Sequence, residues 1–141
     1  MNVSLVAVKK NHMSSIIEML QSISDYRPNE KDYDQIWDKF HSQKNYFGLV
    51  ALDKKLDVVG YGSLFILRNI RGGKIGQIED ITVQPNSRKK GIGKLLINAL
   101  VQISLKEACY KVQLSCDENN LSFYQKSDFV KSGISLSKFF D

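Results

Sequence analysis

The apolar positions change period several times along the chain, and each change marks an element. Residues 3–8 (VSLVAV) form a short β-type run. Met13, Ile16, Ile17, Leu20 and Ile23 then recur at helical spacing, with Asn11 placed as the N-cap, and Arg27-Pro28-Asn29 ends that helix. Tyr33, Ile36, Trp37 and Phe40 trace a second helical stripe. Two β-rich runs, 46–52 and 57–67, flank Asp53-Lys54-Lys55 and read as a hairpin, and Arg71-Gly72-Gly73-Lys74 is the next turn. After a strand at 75–84, residues 91–108 carry Ile92, Leu95, Leu96, Ala99, Leu100 and Ile103 on one face of a long helix. A strand at 110–115, a helix from Asp117 through Lys126 and a last strand near 130–136 complete the chain. The order βααβββαβαβ predicts an α/β fold, a mixed central sheet with helices on both faces. No repeat, linker or low-complexity segment divides 1–141, so a single domain is expected.

Period two slips once inside the fourth strand. Ile81 and Val83 alternate, but Ile78 stands three residues before Ile81, which predicts a β-bulge near Glu79-Asp80. A bulge releases backbone groups from the ladder, where a ligand can take them. Read alone, Glu79 and Asp80 are also ordinary polar residues of a sheet edge.

Directly after that strand, Arg88-Lys89-Lys90-Gly91-Ile92-Gly93 opens the long helix, with Lys94 following. Free N–H groups and the positive dipole end suit a phosphate, and the glycines let backbone approach it. The cations raise the local positive potential. A P-loop is excluded because position 88 is Arg and position 95 is Leu. A dinucleotide fingerprint is excluded because Leu96 takes the place of its final small residue.

The net charge of +5 favours anionic ligands, but the cations are scattered and no nucleic-acid motif accompanies them. No apolar run reaches membrane-spanning length and the N-terminus lacks a secretory pattern, so a cytoplasmic location is expected, with neither nucleic acid nor membrane as partner. Cys109 and Cys116 read as reduced thiols, Cys116 as a small buried hydrophobe. His12 and His41 are unclustered, so no metal is expected.

The loop resembles the acyl-CoA site of the GNAT superfamily of N-acetyltransferases, whose signature is Arg/Gln-x-x-Gly-x-Gly/Ala after a strand. Phe123-Tyr124-Gln125-Lys126 resembles that superfamily's F-Y-x-K motif. From Gln77 to Phe129 the chain more particularly resembles eukaryotic-type glucosamine-6-phosphate N-acetyltransferases. The parallels are I-E-D-I before the loop, G-x-G-K-L-L-I in the helix, C-Y-K at 109–111 and C-D-E-x-N with F-Y at 116–124.

The resemblance implies a GNAT fold and acetyl-CoA as co-substrate. The backbone of Ile81, Thr82 and Val83 would hold the pantetheine arm, and Arg88, Lys89, Lys90, Gly91, Ile92, Gly93 and Lys94 the pyrophosphate. Glu79 and Asp80 would face the acceptor amine, Glu79 as catalytic base, and Tyr124 would stand at the thioester sulfur as catalytic acid. Tyr110, Lys111 and Lys138 would lie on the substrate side. A homodimer is implied, with each acceptor site completed by the partner's C-terminal segment. The chemistry asks for the same residue types: an ammonium must lose a proton before it attacks, and a thiolate leaves better beside a phenol.

Three departures bear on the acceptor. Ser115 stands where those enzymes carry a carboxylate, Asp128 replaces a glycine, and the connection from Arg68 to Gln77 is short. A small amine, glucosamine 6-phosphate first, is expected as acceptor. A polyamine, another amino sugar, a protein amine, or CoA sensing without turnover are the alternatives.

Overall fold

A computed structural model describes residues 2–140. Five strands form one sheet in sequence order: β1 (Ser4–Ala7), β2 (Tyr46–Leu52), β3 (Val58–Arg68), β4 (Lys74–Val83) and β5 (Lys111–Gln113). The first four pair antiparallel, whereas β5 runs parallel to β4 after the crossover helix α3 (Ile92–Lys106). Helices α1 (Met13–Leu20) and α2 (Tyr33–His41) precede β2, and a short α4 (Leu121–Gln125) follows β5.

The strand alternation separates two cores. On one face Val50, Val58 and Tyr61 pack with Ile16 and Met19 of α1, backed by Trp37 and Phe40 of α2. On the other, Leu64, Ile66 and Ile78 pack with Ile97 and Leu100 of α3, while Ala51 and Val59 meet Ile92 and Leu96. Leu96, Ile97 and Leu100 lose all contact with water, stabilising the sheet–helix layer by roughly 1.5–3 kcal/mol each. The expected stripe on α3 is therefore present, with Ile97 and Ser104 added to its buried side.

Several expectations need correction. Asn11 does not cap α1; the chain enters through a 3-10 turn at Lys10–His12, where the Lys9 N–H donates to His12 Nδ1 at 3.0 Å. Asp117 precedes another 3-10 turn (Glu118–Asn120), and α4 begins only at Leu121. The last strand expected near 130–136 does not form among the described residues. Val130, Ile134 and Leu136 have the alternation of a strand but stand exposed, with no strand of the same chain beside them.

Candidate active site

The β3–β4 register reads Tyr61 opposite Thr82 and Ser63 opposite Glu79, so β4 carries one residue more than β3. Asp80 takes up the excess with φ of 58°. This is the bulge expected from the Ile78–Ile81 spacing. Gly62 makes room for it, since a Cβ there would lie 2.5 Å from Ile81 Cδ1. The buried Ser63 hydroxyl donates to the Glu79 carbonyl at 3.0 Å and fixes the near side of the bulge. On the far side, the Thr82 hydroxyl donates to the Met19 carbonyl at 3.4 Å.

β4 outruns its parallel neighbour. Pairing with β5 ends at Gln77 opposite Gln113, yet β4 continues to Val83. From Ile78 onward its β5-side edge carries no strand, so backbone groups there are available to an extended ligand. Side chains join the strands where pairing stops. Gln113 Nε2 donates to Gln77 Oε1 at 2.9 Å, and Gln77 Nε2 donates to Glu79 Oε1 at 3.3 Å. Sequence reasoning missed this relay, because nothing in the spacing of two half-buried glutamines and an exposed glutamate marks it. Asp80 is itself exposed, yet lost solvent on the protein side of its carboxyl raises its pKa above the usual carboxylate value.

The loop after β4 turns through Lys89 (φ 65°) and Gly91 (φ 83°). Left-handed residues so closely spaced in a loop are a recurring part of the backbone concavities that bind anions. No side chain caps α3 at Gly91, so its first-turn N–H groups face the loop unpaired. Arg88 Nε donates to the Val83 carbonyl at 3.2 Å, tying the loop to the strand end. Lys90 also borders a groove of about 620 Å³ where Lys54 and Lys55 of the β2–β3 turn stand with Asp53 and Asp57, so the cations there are largely balanced.

Helix α4 closes the remaining side. A Cβ on Gly93 would come 3.0 Å from Phe123 Cζ, so Phe123 lies directly against the start of α3. Tyr124 is half-buried in the same cluster as Ile81 and Leu114. Burial, with a smaller contribution from Cys116, raises its phenol pKa and keeps it protonated. Asp128 adopts φ of 68°, so it fills the left-handed position of the glycine it replaces.

Bulge, loop and phenol thus converge where β4 and β5 part. The Acetyltransferase (GNAT) family matches residues 13–129. The chain belongs to the GNAT acetyltransferase family. It is therefore an acyltransferase. It is 36% identical over 126 residues to glucosamine 6-phosphate N-acetyltransferase 1 of Dictyostelium discoideum, covering 85% of this chain and 79% of that one. It is 35% identical over 103 residues to glucosamine 6-phosphate N-acetyltransferase of Schizosaccharomyces pombe, covering 71% and 91%. The glucosamine-6-phosphate N-acetyltransferase structure from Arabidopsis thaliana superposes with a TM-score of 0.91 over 100% of both chains at 24% identity, a likeness of fold.

Set on this GNAT fold, the expected site residues divide in two. Glu79, Asp80 and residues 81–83 lie on the stretch of β4 that runs beyond β5, residues 88–94 lead from its end into α3, and Tyr124 follows Phe123 on the helix packed against Gly93. Tyr110 and Lys111 do not join them within the chain. Lys111 pairs with Ile75, four positions back along β4 from Glu79, about 13 Å away at strand rise. Lys138 lies in the exposed C-terminal segment. Cys116 is exposed rather than buried, a correction that follows from β5 ending early and leaving residues 114–117 outside the sheet. Among the described residues no cluster of His, Cys, Asp and Glu is built to hold a metal.

Proposed function

We propose that the protein transfers the acetyl group of acetyl-CoA to the amine of glucosamine 6-phosphate. The observation that carries the reading is the convergence of the Asp80 bulge, the Gly91 loop and the Tyr124 phenol on the free edge of β4, in a chain whose relatives over most of its length share that activity.

Acetyl-CoA fits this cleft by its chemistry and supplies an activated acyl group on a sulfur that can leave. The free edge of Ile81, Thr82 and Val83 holds the amide-bearing arm, and residues 88–94 hold the pyrophosphate. Glu79, steadied by Gln77, accepts the proton that the substrate ammonium must lose. A backbone N–H released at the bulge faces the charge that develops on the carbonyl oxygen. Tyr124, held protonated by burial, donates to the departing sulfur. No covalent bond to the enzyme is required, because the nucleophile is the substrate's own amine.

The assembly proposed is a cytoplasmic homodimer. Val130, Ile134, Leu136, Phe139 and Phe140 are exposed on one chain, and the outer edge of β5 lacks a strand. A partner's C-terminal segment covers such surface and carries Lys138 toward the sugar phosphate. Ser115, where related enzymes have a carboxylate, favours a second reading in which the acceptor is another amino sugar, a polyamine or a protein amine. Thiol release from acetyl-CoA across a panel of amines with and without a 6-phosphate tests both. Fastest release with glucosamine 6-phosphate is expected. A preference for polyamines or peptides replaces the acceptor, and no release with any amine leaves a CoA-binding protein.

A further inference from the structure

The opposite end of the sheet carries a surface that the acetyl transfer does not use. Strand β3 ends in Leu67-Arg68, and the turn Asn69–Gly73 leads back into β4. This turn is rigid: Asn69 N–H donates to the Gly73 carbonyl at 2.9 Å, and Asn69 Oδ1 accepts from the Gly73 N–H at 2.9 Å. At its tip Ile70 is 103% exposed, so a fixed backbone holds an aliphatic side chain fully in water between Arg68 and Arg71. Leu67 at 44% and Leu105 at 63% exposure add to it. The end of α3 is joined to this hairpin by the Tyr110 N–H to Lys74 carbonyl bond at 3.0 Å and by the Lys74–Glu107 pair at 4.0 Å.

The charge of this end is one-sided. Lys44, Arg68, Arg71, Lys74 and Lys106 stand against Glu107 alone, which accounts for four of the five units of net positive charge on the chain. Between them lies a groove of about 490 Å³ lined by Lys44, Phe47, Leu67, Arg68, Lys74 and Glu107.

We propose that this end docks the protein on an anionic lipid surface. A phosphate headgroup seats in the groove among Lys44, Arg68 and Lys74. Ile70 and Leu67 enter the boundary beneath it, and Arg71 and Lys106 lie on neighbouring headgroups. Cations interleaved with exposed aliphatics are what an anionic membrane recognises. A soluble polyanion or nucleic acid has no use for Ile70, and among the described residues Tyr110 is the one exposed ring beside the groove for a base to stack on. The earlier expectation of no membrane partner rested on the lack of a spanning run. That concerns crossing a bilayer and not lying on one. Along β4 Glu79 stands about 17 Å from Lys74 and Val83 roughly 30 Å, so the acyl-CoA site lies beyond this end of the sheet and stays accessible.

Co-sedimentation of the full chain with vesicles at about 0.1 M salt tests the proposal. Binding is expected to phosphatidylcholine vesicles containing phosphatidylserine and not to phosphatidylcholine alone. Arg68→Gln with Arg71→Gln lowers partition about thirtyfold. Ile70→Asp abolishes vesicle binding, and the uncharged Ile70→Asn lowers it while leaving retention on heparin unchanged. All three positions are exposed and outside the cleft, so thiol release stays at the parent rate. Equal binding to both vesicle types by the unaltered chain overturns the proposal without any variant. So does an Ile70→Asp variant that binds vesicles as well as the parent, which marks a mere polyanion surface. Loss of a larger species in light scattering on Ile70→Asp, with no vesicle binding by the parent, makes the face a contact between copies and overturns it too.

Discussion

The Phe123 ring rests against Gly93, close enough that a Cβ on Gly93 would stand 3.0 Å from Phe123 Cζ. The glycine therefore lets α4 approach the start of α3, and on the proposed reading it also bares backbone toward the pyrophosphate. The two glycines of the loop should then fail differently. Gly91→Ala forces a side chain into a left-handed conformation, at a cost on the order of 1 kcal/mol, and disturbs only the loop. Gly93→Leu displaces Phe123 and moves Tyr124 with it. Calorimetry with CoA should show weaker binding for both, with a lowered melting temperature chiefly for Gly93→Leu. Unchanged CoA affinity in Gly91→Ala removes the loop from the pyrophosphate site.

Tyr124 should separate chemistry from packing. Its ring packs on the core of Leu64, Ile66, Ile78, Ile97 and Leu100 and against Phe123 and Phe129, and none of those contacts uses the hydroxyl. Tyr124→Phe should leave the melting temperature nearly unchanged and lower kcat on the order of 10²-fold, with KM for acetyl-CoA little altered. Parent turnover in this variant reduces the tyrosine to packing.

Glu79 and its glutamine relay predict graded losses. Glu79→Gln should remove most of the turnover while leaving KM for acetyl-CoA close to the parent value. Gln77→Ala keeps the carboxylate but removes the 3.3 Å bond that orients it. Loss of one such hydrogen bond, worth about 1 kcal/mol, should lower kcat/KM roughly fivefold. Gln113→Ala should act in the same direction more weakly, through Gln77. Parent turnover in Glu79→Gln assigns the base elsewhere.

How far the sequence discloses this site depends on the range of the forces involved. The bulge was legible because Ile78 and Ile81 must both reach the core beneath α3, and only an extra residue allows that spacing. The helix start at Ile92 was legible from its glycines and apolar stripe. Local rules placed Asn11 as a cap, but the Lys9 N–H found His12 instead. Cys116 was misplaced because its burial depended on how far β5 extends, which a neighbouring strand decides. The segment 130–136 shows the same limit: Val130, Ile134 and Leu136 have the alternation of a strand, yet among the described residues no strand pairs there.

Asp80 gives a pH signature independent of catalysis. Its raised pKa means the folded state binds a proton more tightly than the unfolded chain. Its stability contribution is fully present below the ordinary aspartate pKa and is lost as pH rises through the raised value. At neutral pH the charge therefore opposes folding slightly. Asp80→Asn keeps the left-handed bulge and removes that charge. Its melting temperature should exceed the parent's at pH 7, with the difference shrinking as the solution is acidified below the ordinary aspartate range. A gain that persists unchanged in acid comes from asparagine's backbone preference and not from the carboxylate.

The C-terminal segment supplies the sharpest test of assembly. Phe139 and Phe140 are 91% and 87% exposed on one chain, two rings left in water beside Lys138. Burying each is worth roughly 1.5–3 kcal/mol, enough together to change a dimer's dissociation constant by two orders of magnitude or more. If a second copy covers them, ending the chain after Leu136 should weaken the dimer by that factor in light scattering. It should also raise KM for glucosamine 6-phosphate through loss of Lys138, while leaving KM for acetyl-CoA close to the parent value. Lys138→Ala in the full chain separates the two roles: the dimer should persist and only the sugar-phosphate KM should rise. A truncated protein that dimerises with unaltered affinity and retains full activity places both rings and the lysine outside the assembly.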